Sequence, residues 1–219
     1  MLPFTREQFV AVFADYNAGI WPVQVLTYLL GLTMVVLVLR PSRAGNRVIG
    51  AGLAAMWAWT GVAYHWAYFA TINKAALGFG ALFVIQSAVF LYAGVLRDRL
   101  RFGPASGPLA WLGWALVGYA AALYPLLGLG LGHPWVEIPM FGVTPCPVTI
   151  FTFGLLLLTS SPVSRWVFVI PFLWSLTGGS AAFLLGVPQD WLLLISGASA
   201  FLIAYRDRTS RGQGTAVHA

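Results

Sequence analysis

Seven stretches of this chain are almost wholly apolar and carry no Asp, Glu, Lys or Arg: about 20–39, 48–70, 75–96, 109–131, 144–159, 166–187 and 191–205. Most approach the ~20 residues needed to cross ~30 Å of hydrocarbon. Lipid offers backbone groups no hydrogen-bond partner, so such stretches are predicted to be helices. The short alternating segments of an outer-membrane barrel are absent. The fifth stretch is shorter: Thr144 to Thr159 spans about 24 Å as a helix, so its start is expected below the membrane surface. The predicted class is all-α, a polytopic membrane protein with seven transmembrane helices.

Residues 1–19 read as an interfacial amphipathic segment. Thr5 with Gln8 fits a capping box, and Phe4, Phe9, Val12 and Phe13 share one helical face. The polar, glycine-containing tail, 209–219, is expected to be disordered.

Composition supports the membrane reading. The 219 residues are 59% hydrophobic and 8% charged, with mean hydropathy +0.82; soluble domains carry about 25% charged residues. A pI near 9.9 would suit nucleic acid, but the placement of the charges excludes it. Arg40, Arg43, Arg47, Arg97, Arg99, Arg101, Arg165, Arg206, Arg208 and Arg211 all follow odd-numbered stretches. Arg6 and Lys74 lie on the other side, with Glu7, Asp15, Glu137 and Asp190. The positive-inside rule then sets the N-terminus outside and the C-terminus inside. The basic surplus faces lipid headgroups of a bacterial inner membrane. The N-terminus shows no cleavable signal pattern.

An internal repeat is visible. "WPVQVLTYLLG" (Trp21–Gly31) aligns with "CPVTIFTFGLL" (Cys146–Leu156), matching Pro22 to Pro147 and Thr27 to Thr152. "MWAWTG" aligns with "LWSLTG", pairing Trp57 with Trp174, Thr60 with Thr177 and Gly61 with Gly178. The third and seventh stretches share Ser87 and Ser196. They end in Arg97-Asp98-Arg99 and Arg206-Asp207-Arg208. Two parallel three-helix bundles, 20–99 and 144–208, joined by a linker helix over 109–131, satisfy both repeat and charge.

This 3+1+3 pattern, N-out and C-in with a proline near each bundle's start, resembles the SWEET and PQ-loop architecture. That resemblance implies facilitators of sugars or small metabolites, and relatives that act as receptors. The Pro-Gln dipeptide is absent, since Val23 and Val148 follow the prolines, and the expected asparagines of the third and seventh helices are missing. Locally, "MWAWTGVAYHW" and "FGVTPCPVTIFTFG" are similar to an uncharacterised bacterial inner-membrane family, a domain of unknown function. This second likeness implies no activity.

The candidate chemistry is sparse. Without a carboxylate inside the stretches, ion coupling is not expected. A small-molecule facilitator would run its path between the bundles, lined by Trp57, Thr60, Trp174, Thr177, Gln86, Ser87 and Ser196. His65 reads as an interfacial, hydrogen-bonded histidine between Tyr64 and Trp66 of an aromatic belt. On the same side, His133, Glu137 and Cys146 join His65 as a candidate metal or ligand cluster suited to zinc or copper(I). No local spacing marks such a site, and no cofactor is otherwise expected. A single cysteine excludes an internal disulfide and multi-cysteine metal patterns. For Cys146, Thr144 as N-cap and Pro145 at N1 make Pro-Cys-Pro a helix start.

The alternative to a carrier is therefore a ligand- or metal-binding receptor, or an accessory subunit of a membrane complex. A cysteine–histidine enzyme using Cys146 and His65 is a third class. The expected partners are the bilayer, a small molecule, and a second copy or a membrane-complex subunit.

Overall fold

The computed structural model describes residues 3–216, and side chains through residue 207. Among them every regular element is helical: α1 (Arg6–Gly19), α2 (Val23–Leu39), α3 (Arg43–Trp59), α4 (Ala76–Phe90), α5 (Pro108–Gly118), α6 (Tyr124–Gly130), α7 (Pro145–Leu157), α8 (Trp166–Leu185) and α9 (Trp191–Ala216). Three continuous spans, Ala76–Leu96, Pro108–Gly130 and Trp166–Leu185, are long and apolar enough to cross a membrane. The pair α1 and α2, bent by 84°, passes the same test together. Leu26, Leu29, Leu32, Trp111, Phe183 and Leu184 lie exposed, an outward apolar band of the kind that lipid covers.

The capping box starts α1: the Gln8 amide donates to Thr5 Oγ1, and the Thr5 amide to Gln8 Oε1. Its apolar face, with Val12, Phe13 and Tyr16, packs into a second small core with Tyr64, Phe69 and Ile138.

Three helices widen into π-helix: α3 continues through Thr60–Tyr68, α4 through Leu91–Leu96, and α5 passes to α6 through Tyr119–Leu123. The last has a local reason. Pro125 lacks an N–H and its ring crowds the preceding turn, and the wider turn before it gives room.

The centre is α7. Every residue from Pro145 to Leu157 is buried except Cys146, which is partly so. At 13 residues it is about 20 Å long. The loop before it folds over its start, burying Ile138, Met140, Phe141 and Val143. Thr144 is its N-cap residue and Pro145 is N1, as expected. The hydroxyl does not cap, however. It donates to the Met140 carbonyl at 2.7 Å, because the loop turning over the helix start offers a buried acceptor.

Glycines set the crossings. A Cβ on Gly154 would lie 2.9 Å from the Gly113 carbonyl where α5 meets α7, and one on Gly50 would lie 3.0 Å from Gly94 Cα. Such close approach lets dispersion hold helices that share no hydrophobic drive in lipid.

The two halves pack differently. In the first, α2 lies chiefly on α3 and α3 on α4, whereas α7, α8 and α9 all meet one another. The tail also departs from expectation, since helix α9 runs on to Ala216. Extending a formed helix needs no new nucleus. Residues 217–219 lie outside the described part.

Candidate functional site

The chemistry gathers where α1, the end of the α3 π-segment, the start of α7 and the α8–α9 turn meet. Asn17 of α1 donates to the Val136 and Ile138 carbonyls at 2.8 and 2.9 Å, and Tyr16 Oη donates to the Val143 carbonyl at 2.7 Å. Trp59 of α3 donates to Tyr16 Oη, and Thr27 of α2 to the Phe141 carbonyl. These bonds fix α1 and the loop before α7 as a roof.

Below the roof lies a cavity of about 200 Å³. Its walls are aromatic: Phe9 and Phe13 from α1, Tyr64 from the π-segment that continues α3, Phe69 from the turn after it, Phe79 from α4, and Trp174 from α8. Its polar residues include Cys146 and Asp190.

Asp190 is one of the acids that the charge pattern assigns to the outer side. The 3-10 turn Pro188–Asp190 instead carries it inward, to 6% exposure. Tyr124 Oη donates to its Oδ1, and the Cys146 thiol of α7 lies beside it. Tyr119 steadies the same turn through the Gln189 carbonyl, at 2.7 Å. Burial pushes the Asp190 carboxyl up to about 6, while Tyr124 and Cys146 work against that shift. No charge pattern reveals this burial; two tyrosines and a thiol at scattered positions complete it.

His65 departs from expectation. It is fully buried within the protein, and neither ring nitrogen has the hydrogen-bond partner expected of it. Rings of Tyr64, Phe69, Phe79, Phe83 and Trp174 surround it. It lies in the π-segment, whose wider turns break the 3.6-residue register, while Trp66 keeps the outer position and donates to the Leu77 carbonyl. The Cys146–His65 pairing of the enzyme reading is therefore not formed.

The candidate metal cluster does not assemble either. Among the described residues no three His, Cys, Asp or Glu side chains are placed to hold a metal ion. His133 and Glu137 line a small adjoining cavity of about 30 Å³ with Arg6 and Asp190, while Cys146 faces the larger one.

The expected path residues are closed up. Trp57 stacks on Phe83 at 4.3 Å and donates to Thr152 Oγ1 at 2.9 Å; Trp174 meets the same Phe83 edge-on at 5.1 Å. The two tryptophans thus share one buried aromatic layer. Thr60 and Ser196 are buried and give their hydroxyls to Met56 and Leu193 carbonyls on their own helices. Thr177 is exposed on the cavity side and bonds the Leu173 carbonyl. Ser87 is buried. Gln86 donates to the Val167 carbonyl at 2.7 Å, tying α4 to α8. Four buried polar atoms in this layer lack partners: both His65 nitrogens, Trp174 Nε1 and Gln86 Oε1.

Beyond the layer, at the opposite end of α4 and α8, a cleft of about 1230 Å³ opens. Arg97, Arg99, Arg101 and Arg165 line it. Its carboxylates are engaged: Asp98 with Arg43 at 2.5 Å, and Asp207 with Arg206 at 2.9 Å and the Val163 amide at 2.7 Å. Among the described residues, none of the four lining arginines has an acidic partner.

Against known proteins, the chain matches over residues 6–214 the model of a family described as a family of unknown function (DUF6064). No curated protein and no solved structure matches.

Proposed function

We propose, from the premise that the chain belongs to the DUF6064 family, that it is a multi-pass membrane protein that binds a small organic molecule in the cavity between α1, α7 and α8. The observation that carries this reading is the cavity itself: an aromatic chamber of about 200 Å³ with a buried carboxylate and a lone thiol at its wall. Concave, mostly apolar sites with few polar groups are the usual form of small-molecule pockets.

The bacterial inner membrane is the setting, with seven spans arranged 3+1+3 and the arginine end facing the cytoplasm. Contacts repeated between the halves support this arrangement. A Cβ on Gly61 would meet Val84, and one on its repeat partner Gly178 would meet Leu193, which has the same offset from Val84 as Arg206 from Arg97. Asp98 and Asp207 each hold the chain entering the second helix of their bundle, through Arg43 and Val163. The cavity then opens to the extracytoplasmic side.

A second reading, a carrier, draws on the four unpartnered polar atoms between cavity and cleft. Such groups are costly unless a partner reaches them. Charge favours binding over carriage: the cavity presents a carboxylate and the cleft four arginines. A ligand matched to one end is repelled by the other.

Cys146 provides the test. A membrane-impermeant methanethiosulfonate added outside intact cells is expected to modify it, with Cys146→Ser as the unlabelled control. A panel of compact neutral and cationic organic molecules is expected to include members that slow this labelling. Modification solely from the cytoplasmic side would overturn the orientation, and no protection by any member would overturn the binding reading. Uptake of a protecting molecule into proteoliposomes would favour the carrier.

A further inference from the structure

Asp190 is a buried carboxylate without a countercharge. No ion pair among the described residues includes it. The groups that act on it are neutral donors, Tyr124 and Cys146. A carboxylate has about four acceptor positions, so two donors leave capacity facing the cavity. Buried charges are ordinarily paired. This one is set in a chamber lined by the rings of Tyr64, Phe69, Phe79 and Trp174.

Aromatic faces attract cations through the ring quadrupole, most strongly where water is excluded. The second pointer is Trp174, 9% exposed, which lines the cavity with an indole N–H that has no oxygen acceptor and only the weakly accepting Cys146 sulfur beside it. The available volume, about 200 Å³, is that of roughly seven waters at ~30 Å³ each. It suits a compact molecule, not a lipid chain.

We infer that the cavity selects a compact organic ammonium, a primary to quaternary amine on an apolar body with an acceptor oxygen close by. Asp190 supplies the countercharge, Tyr64, Phe69 and Phe79 enclose the cation, and Trp174 Nε1 donates to the oxygen. This rests on the cavity being the binding site, as proposed above. The other titratable groups around Asp190 are Tyr119 and Tyr124 from the α5–α6 unit, Cys146 from α7, Tyr64 from the π-segment that continues α3, and Arg6, His133 and Glu137 across the adjoining small cavity. None of the bases among them pairs with the carboxylate.

The test is equilibrium binding to the full chain in nanodiscs, followed by tryptophan fluorescence and by protection of Cys146. Choline and phenyltrimethylammonium are the probes, and their neutral isosteres 3,3-dimethylbutanol and tert-butylbenzene the controls. Each ammonium is expected to bind at least roughly tenfold tighter than its isostere, about 1.4 kcal/mol. Asp190→Asn should erase that preference, and Trp174→Phe should weaken choline but not phenyltrimethylammonium, which has no oxygen. Wild-type binding of either cation should fall as pH drops below about 6, which decides the matter even if Asp190→Asn does not fold. Isosteres binding as well as the cations, or binding indifferent to pH, would overturn the ammonium inference and leave the cavity reading standing. If neither class binds, both readings fall.

Discussion

The Tyr124 hydroxyl donates to the Asp190 carboxylate across 66 positions of sequence. That bond joins the middle helical unit to the turn between α8 and α9 and places a carboxylate beside the only cysteine. Replacing Tyr124 by Phe removes a hydrogen bond to an ionisable group, and such bonds contribute about 1.5–3 kcal/mol. The Tyr124→Phe protein is expected to unfold at a lower temperature in detergent. An unchanged melting temperature would show that the pair contributes nothing to stability.

The same carboxyl gives stability a pH dependence. Its folded value, about 6, lies above the ordinary 3.8, so the folded chain holds this proton more tightly than the unfolded one. Its contribution is complete below about pH 4 and declines as pH rises to about 6, beyond which the curve levels. Thermal melts of wild type and Asp190→Asn from pH 4 to 7 are expected to differ in slope over that window only. Parallel curves would count against a buried Asp190.

His65 has two ring nitrogens without partners in an aromatic shell. An apolar ring of similar shape removes that cost. His65→Phe is therefore expected to raise the melting temperature or leave it unchanged. A loss of several degrees would mean that the imidazole has a partner in the membrane.

The helix crossings set up a contrast between two glycines. Gly154→Ala forces a methyl to within 3.0 Å of backbone at Gly113 and Val117, and overpacking of this kind costs about 1–3 kcal/mol. Gly78→Ala meets nothing within 4 Å and is expected to be neutral or to gain up to about 1 kcal/mol in helix α4. Melting temperatures of the two variants should move in opposite directions, or at least differ clearly.

Asn17 clamps the roof through two carbonyls. Asn17→Ala is expected to raise hydrogen exchange in the loop 134–143 and to quicken thiol labelling of Cys146, each by roughly thirtyfold, for two bonds of about 1 kcal/mol apiece. Unchanged labelling would place the cavity entrance elsewhere.

Much of the helical layout was legible in the chain itself. The apolar stretch 144–159 became Pro145–Leu157, 166–187 became Trp166–Leu185, and the Thr5–Gln8 box opens α1. Helix boundaries are local: they depend on where apolar residues stop, on which residue caps, and on backbone groups bonding within four residues of themselves. The candidate site was legible only in fragments. Cys146 and Trp174 were singled out, but as a metal ligand and a path residue. Asp190 reads only as an outer-side acid, because a carboxylate in a turn counts as solvated until the fold covers it. The burial of His65 was not foreseen, because a helical register of 3.6 carries no warning of the π-segment at Thr60–Tyr68.

The chain alone thus determined which segments are helical and which loops carry the charge, since both follow from local hydrophobicity and spacing. The tertiary structure decided which polar groups are buried together. Bringing Asp190 to Tyr124 and Cys146 depends on how three distant helices cross, and close packing at Gly113 and Gly154 fixes one of those crossings.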